Sequence, residues 1–477
     1  SPPAWLGAMR TDGEDDDSET VKKNPPSPIS SRFRPFLSAL SILTIIFLLF
    51  LAAPHRNRSK PSGSHKPTTK ITMETTSIPL EGHVDSLNTF GWHVFSKLSK
   101  EDKNIVISPM SILTALGMVE LGTTMDSKAQ EELLLYGFSE PQLQGLLSSV
   151  HSLLKNQQED KVQVEMANSI WTKPKLVEKA YKQHFASSPM WKDHTDVLDV
   201  PDHVALINQW VYQKTAGRIP TILDRIPDNL VALLVNAIYF KGDWTTAFDP
   251  DETEKEATFY VGASKEKKVE MMHLENEKFK NLEMMLTTDS SDRVMLVDVP
   301  YGNSKEWVAT IVLPVGTLTL DKVMKAFESD IEKNDKSTIW TTWMDGLAMM
   351  DEEKLDILSI PRFSLKYGSS SMRKALQSMG IKTVFDVDAS NPPLSRLSSD
   401  PEAYLDDVLH QATLECTESG TVASAATVAV IMTRSMPMPN PRIVCNRPFL
   451  MVVRHVDTNL MLFAARIDDP SLAAVKP

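Results

Sequence analysis

Residues 415–442, ECTESGTVASAATVAVIMTRSMPMPNPR, are the stretch on which the reading of this chain turns. After Gly420 a run of small, uncharged, β-capable residues leads to Met432-Thr433-Arg434-Ser435 and then to Pro437, Pro439 and Pro441. A core strand ordinarily carries bulkier side chains. Taken at a period of two, Thr421, Ala423, Ala425, Thr427, Ala429 and Ile431 share one face, all uncharged and most of them small. Such a face can slide into an existing sheet without burying a charge. The prolines favour extended backbone around Arg434 and suit presentation in a protease cleft, where an Arg before the scissile bond fits trypsin-like specificity. An isolated Arg of this kind is ordinarily a solvated loop residue; the small-residue run ahead of it changes the reading.

The rest of the chain supplies the frame. Its 50 Lys+Arg against 62 Asp+Glu give a net charge of -12, and with 42% hydrophobic residues it has the composition of a soluble globular protein. Residues 1–70 carry 10 basic and 6 acidic side chains, which leaves 40 against 56 for the remainder. An acidic body repels phosphate backbones, so a nucleic-acid partner is disfavoured. Cys416 and Cys445, in no C-x-x-C pair, exclude a disulfide framework and a zinc knot. They read as two buried thiols or as one bridge.

Residues 1–35 form a polar tail, with an acidic run and Pro25, Pro26 and Pro28, too polar to fold. FLSALSILTIIFLLFLAA follows, uncharged and about 27 Å long as a helix at roughly 1.5 Å per residue. Residues 36–54 are therefore a membrane-targeting segment, either an uncleaved signal anchor or a signal peptide. Leu51 and Pro54 are poor company for cleavage after Ala53 and tilt the reading towards the anchor. The first methionine is Met9, so Ser1 to Ala8 read as preceding the start. Asn57-Arg58-Ser59 is a candidate glycosylation sequon in a flexible stalk, 55–78, which fits an extracellular body, secreted or tethered.

Residues 79–470 show no repeat or linker and read as one large domain, with 471–477 a short tail. Val84, Leu87, Gly91, Val94, Phe95 and Leu98 share a helical face, with Asp85 or Ser86 at the N-cap. Further helices are expected over 110–120, 128–136, 140–155, 203–215 and 370–379. Strands are expected over 104–107, 162–171, 233–240, 293–298, 307–313, 409–415 and 449–453. Helices early and strands late predict an α+β fold with large, mainly antiparallel sheets.

Enzyme chemistry is not legible. No nucleophile elbow, phosphate loop, dinucleotide fingerprint or zincin motif occurs, and the 11 histidines lack ligand spacing, so no metal, cofactor or catalytic residue is expected. Asp351, Glu352 and Glu353 beside Lys354 read as a solvated turn. Gln142–Asn156 offers only Lys155, a poor polyanion site, and Lys173, Lys175, Lys179 and Lys182 read as a solvated face.

Ordered motifs across the body supply a resemblance: Ser108-Pro109-Met110-Ser111-Ile112, Val235 to Trp244, Pro361-Arg362-Phe363, Met379-Gly380, Phe385, Asp407-Val408-Leu409-His410 and Asn446 to Leu450. With the 415–442 stretch, they make the sequence resemble the serpin family over residues 79–470. The resemblance implies helices packed around large sheets with an exposed reactive-centre loop. It makes Glu418, Gly420, Thr421, Val422, Ala423, Ser424, Ala425 and Ala426 the hinge, and places the reactive bond at Arg434-Ser435. Ser108, Ser111, Asn236 and His410 become a polar latch where strands must part, with Trp244 where the loop enters. Ser419, Val422, Ser424 and Ala465 depart from the family pattern, none by a proline or a charge. The implied function is inhibition of a trypsin-like serine protease, trapped as a covalent acyl complex by a monomer. A non-inhibitory carrier, chaperone or storage serpin is the alternative, disfavoured by the small hinge; a membrane-anchored adhesion protein rests on the apolar segment alone.

Overall fold

The computed structural model describes residues 78–100, 104–134, 138–155, 161–192, 195–228, 230–262, 265–287, 291–333, 338–420 and 440–473. With elements numbered in chain order, the early helices are α1 (Val84–Leu98), α2 (Pro109–Gly122), α3 (Lys128–Leu133), α4 (Glu140–Lys155), α5 (Lys179–Ser187) and α6 (Val204–Lys214). Three more, α7 (Leu320–Lys333), α8 (Ile339–Ala348) and α9 (Arg373–Ser378), punctuate a strand-rich remainder. Strands β12 (Phe363–Ser371), β13 (Asp407–Cys416), β4 (Ala232–Gly242), β2 (Val162–Thr172) and β3 (Thr195–Asp199) form a five-stranded sheet in that order. A seven-stranded sheet runs β1 (Ile105–Ile107), β16 (Met461–Ile467), β15 (Phe449–His455), β9 (Trp307–Pro314), β8 (Arg293–Tyr301), β7 (Lys278–Met285), β10 (Glu352–Lys354). The third sheet is β14 (Arg442–Val444), β11 (Ile357–Pro361), β6 (Lys265–Glu275), β5 (Glu254–Gly262). Every neighbour pair in the seven-stranded sheet is antiparallel, whereas β13–β4, β2–β3 and β11–β14 are parallel.

Strand β4 shows why the five-stranded sheet is buried on both faces. Ala232, Leu234, Ile238 and Phe240 join the main core, while Leu233, Val235 and Ala237 join a second core under α6 with Ile207 and Val211. Side chains alternate across a strand, so a strand covered twice reads as a continuous apolar run. Helix α2 lies against the main-core face, apolar all round and buried along its whole length, as a helix inside a large core must be. Ser108 caps it, accepting from the Ser111 N–H, and Pro109 opens the first turn.

Several local expectations change. Helix α1 begins at Val84 after His83, which makes no side-chain cap, so neither Asp85 nor Ser86 is the N-cap. The residues expected to start a helix at 370 belong instead to β12, because Ser370 and Ser371 pair with His410 and Leu409 of β13. Glu352 to Lys354 form an exposed edge strand against β7 and not a turn. Cys416 and Cys445 are free and buried, and burial pushes the Cys445 thiol up to about 12. Among the described residues no helix is long and apolar enough to cross a membrane. Residues 36–54 and Asn57 lie outside the described residues.

Candidate functional site

Strands β4 and β13 lie side by side and parallel, and Asn236 faces His410 in the register. Both stand at even positions of their strands, which project towards α2. The ring Nε2 of His410 accepts the Ser108 N–H at 3.2 Å, so a neutral ring carries its proton on Nδ1 and donates to Asn236 Oδ1. The Asn236 amide in turn donates to Ser111 Oγ at 2.5 Å, Ser111 O at 3.1 Å and Asn168 Oδ1 at 2.6 Å. Burial lowers the His410 pKa to about 3, and protonation would turn Nε2 into a second donor aimed at the Ser108 N–H. The structure thus brings Ser108, Ser111, Asn236 and His410 into one buried, neutral network. Asn168 on β2 is a fifth member that the sequence reading missed, one polar residue among several in the strand VQVEMANSIWT.

The register of this seam stops short. Pairing runs from Asp407 opposite Leu233 to Thr413 opposite Tyr239, and the last three residues of each strand, Leu414 to Cys416 and Phe240 to Gly242, are not paired with one another. Directly after that parted end comes the base of the loop. The Trp244 N–H donates to Ser419 O, the Phe248 N–H to Glu418 O, and the indole Nε1 of Trp244 to Thr417 O. Trp244 also stacks on Tyr301, ring centroids 4.3 Å apart. It is a structural post at the point where the loop leaves the sheet.

Gly420 sits there with φ +120°, and a Cβ on it would lie 2.2 Å from Gly242 O and 2.5 Å from Trp244 N. Only glycine fits. Glu418, nearly buried, accepts from Thr253 Oγ1 at 3.0 Å and faces Arg362 Nε at 3.7 Å, while Arg362 Nη1 reaches Glu270 at 3.4 Å. Arg362, paired in turn with Glu270, is thus added to the site as a clamp facing the Glu418 carboxylate. Thr421, Val422, Ala423, Ser424, Ala425, Ala426, Arg434 and Ser435 lie outside the described residues, which resume at Asn440 and enter the four-stranded sheet at Arg442. The described residues on either side of 421–439 therefore belong to two different sheets. Among the described residues no cluster of three or more His, Cys, Asp or Glu side chains could hold a metal ion.

Known proteins resemble this chain over most of its length. The family model for serpins, serine protease inhibitors, matches residues 85–470. Human antithrombin-III is 26% identical over 430 residues, covering 88% of this chain and 87% of the relative. Serpin B6 of Macaca fascicularis is 32% identical over 400 residues, covering 80% of this chain and 98% of its own. The crystal structure of human thyroxine-binding globulin with its thyroid ligand superposes with a TM-score of 0.66 at 22% identity, covering 81% of this chain and 98% of that one, a likeness of fold alone. An α+β architecture of helices packed around three sheets agrees with these matches, and the chain belongs to the serpin family.

Proposed function

We propose that this serpin inhibits trypsin-like serine proteases as a suicide substrate cleaved at Arg434-Ser435. The observation that carries the reading is the β4–β13 seam: two neighbouring parallel strands joined through uncharged groups, already parted at the end beneath Gly420. The protease serine attacks the Arg434 carbonyl carbon, the bond to the Ser435 nitrogen breaks, and Arg434 is left as an ester on the enzyme while Ser435 becomes a new amino terminus. The freed segment enters the seam from its parted end. Fifteen residues at about 3.3 Å each carry the acylated enzyme roughly 50 Å from its docking position, faster than water can cleave the ester. Small residues from Thr421 to Ala426 let the segment pass without burying a charge.

The driving force is a native sheet that lacks a strand. Insertion replaces one parallel ladder by two ladders, and each gained hydrogen bond contributes about 0.5–1.5 kcal/mol. The fold is held back from that state kinetically. The body acts as a monomer outside the cell, secreted or tethered through residues 36–54, with 79–470 as the inhibitory domain, 1–35 as a polar tail, 55–78 as a stalk and 471–477 as a C-terminal tail. Non-inhibitory carriage is the alternative outcome of the test.

That test mixes the purified full chain with trypsin and resolves the products on a denaturing gel. A band that survives denaturation, with a released fragment beginning at Ser435, is expected. Clean cleavage without the band would overturn inhibition and leave a carrier. Thr421→Glu should convert the chain into a substrate, cleaved at the same bond with no covalent band.

A further inference from the structure

The seam network does not end at Asn168. In the register, Thr195 of β3 stands opposite Asn168, Asn168 opposite Asn236, and Asn236 opposite His410, so one row of polar residues crosses four adjacent strands from the outer edge to the seam. Asn168 uses its Oδ1 towards Asn236. Its Nδ2 is buried and, among the described residues, has no hydrogen-bond partner. Thr195 Oγ1 and Trp191 Nε1 are in the same condition, and the three residues are 0%, 5% and 1% exposed. All three line one cavity, together with Thr114 of α2, Leu147 and His151 of α4, and Met166 and Met190.

Three orphaned polar atoms at one small cavity are not a chance scatter, because each would cost free energy if left unpaired. Two are donors only, the indole N–H and the amide N–H, and the third is a hydroxyl that can serve either way. The site therefore takes a hydrogen-bond acceptor. Its space admits one water-sized molecule, and a water with two to four polar partners is stably held in such a cavity. We propose that a buried water occupies this cavity, accepts from Asn168 and Trp191, bonds Thr195, and is the outermost member of the latch. It orients the Asn168 amide so that Oδ1 faces Asn236, and in this way the sheet edge steadies the seam. The coupling to the seam rests on the insertion reading above; the water site itself does not.

A crystal structure of the full chain at high resolution should show a density peak within hydrogen-bond distance of Asn168 Nδ2 and Thr195 Oγ1, and no peak there overturns the site. Thr195→Val keeps the side-chain shape and removes the hydroxyl. Hydrogen exchange of the β4 and β13 amides should then run about three- to tenfold faster, the weight of one neutral hydrogen bond. Exchange at the wild-type rate or slower, as expected when an unpaired hydroxyl is simply removed, overturns the coupling. Trp191→Phe should act in the same direction, and where either variant fails to fold, the density and the other variant decide. A covalent trypsin complex alongside a missing peak would sink this inference and leave the proposed function standing.

Discussion

Two sheets of this molecule carry buried polar links between strands, and they are built from opposite materials. In the seven-stranded sheet Asp298, Thr310 and Arg454 join β8, β9 and β15: Arg454 Nη2 donates to Asp298 Oδ2 at 2.5 Å, its Nε to Thr310 Oγ1 at 2.8 Å, and Thr310 Oγ1 to Asp298 Oδ1 at 2.6 Å. In the five-stranded sheet the link is Asn168, Asn236 and His410, with no formal charge. Separating the first would strand an ion in the core, where an uncompensated charge costs about 3–5 kcal/mol. Separating the second breaks neutral hydrogen bonds of about 0.5–1.5 kcal/mol each. The charged triad welds its sheet shut. The neutral row joins its strands through bonds that each cost less to break.

Substitution at each link should break the symmetry between them. Asp298→Ala leaves Arg454, 3% exposed, with Thr310 and Asn459 as its hydrogen-bond partners among the described residues. A loss of about 3–5 kcal/mol is expected from urea unfolding, the largest effect here. A loss under about 1 kcal/mol would mean that the triad is no weld. Asn236→Ala removes the acceptor for His410 Nδ1 and the donor to Ser111 and Asn168, at about 1–3 kcal/mol. Its signature is local: faster hydrogen exchange in β4 and β13 with β9 and β15 unchanged. Uniform acceleration in both sheets would remove the distinction between seam and weld.

The seam was more legible in sequence than its surroundings. Ser108, Ser111, Asn236 and His410 were all reached through the resemblance; Asn236 also stands out in the apolar run Val235 to Phe240, whereas His410 shares its strand with Gln411, Thr413 and Glu415. Asn168 was missed because its strand also carries Gln163, Glu165 and Ser169, among which one more polar residue gives no contrast. The base of the loop was half legible: Gly420 was named by resemblance, but the reason, a Cβ colliding with Gly242 O, lies in a contact across the sheet. The clamp from Arg362 and Glu270 likewise depends on residues distant in sequence. Strands β5, β6 and β7 were passed over since Glu and Lys crowd their exposed faces, as in KEKKVEMMHLE, and mask the alternation. Helix α7 was also missed, although Leu320, Val323, Met324 and Phe327, the residues it buries, carry the helical spacing.

Acid should sharpen the comparison most gently, because each sheet holds a histidine whose pKa burial lowers. His455 of β15 has Asp457 and Glu306 nearby to favour its proton, whereas His410 has no carboxylate among the causes of its shift. A histidine neutral in the fold and near 6.5 when unfolded binds fewer protons folded. Its contribution is therefore complete above pH 6.5 and declines as pH falls from 6.5 towards about 3, by at most about 1.4 kcal/mol per pH unit. Glu120 opposes this trend: buried beside Glu140, its pKa is raised, so its contribution is complete at acid pH and fades as pH rises from its unfolded value of 4.5. The two must be separated by a variant. His410→Asn keeps an amide N–H near the position of Nδ1 and removes the titration, so the difference between variant and wild type in urea midpoint from pH 7 to pH 5 isolates the ring. The wild type should lose ground to the variant as pH falls, with exchange quickening first in β4 and β13. A constant difference across that range would mean that His410 titrates alike folded and unfolded, and a wild type that gains on the variant as pH falls would mean that the native ring keeps its proton and the seam is held by a charge.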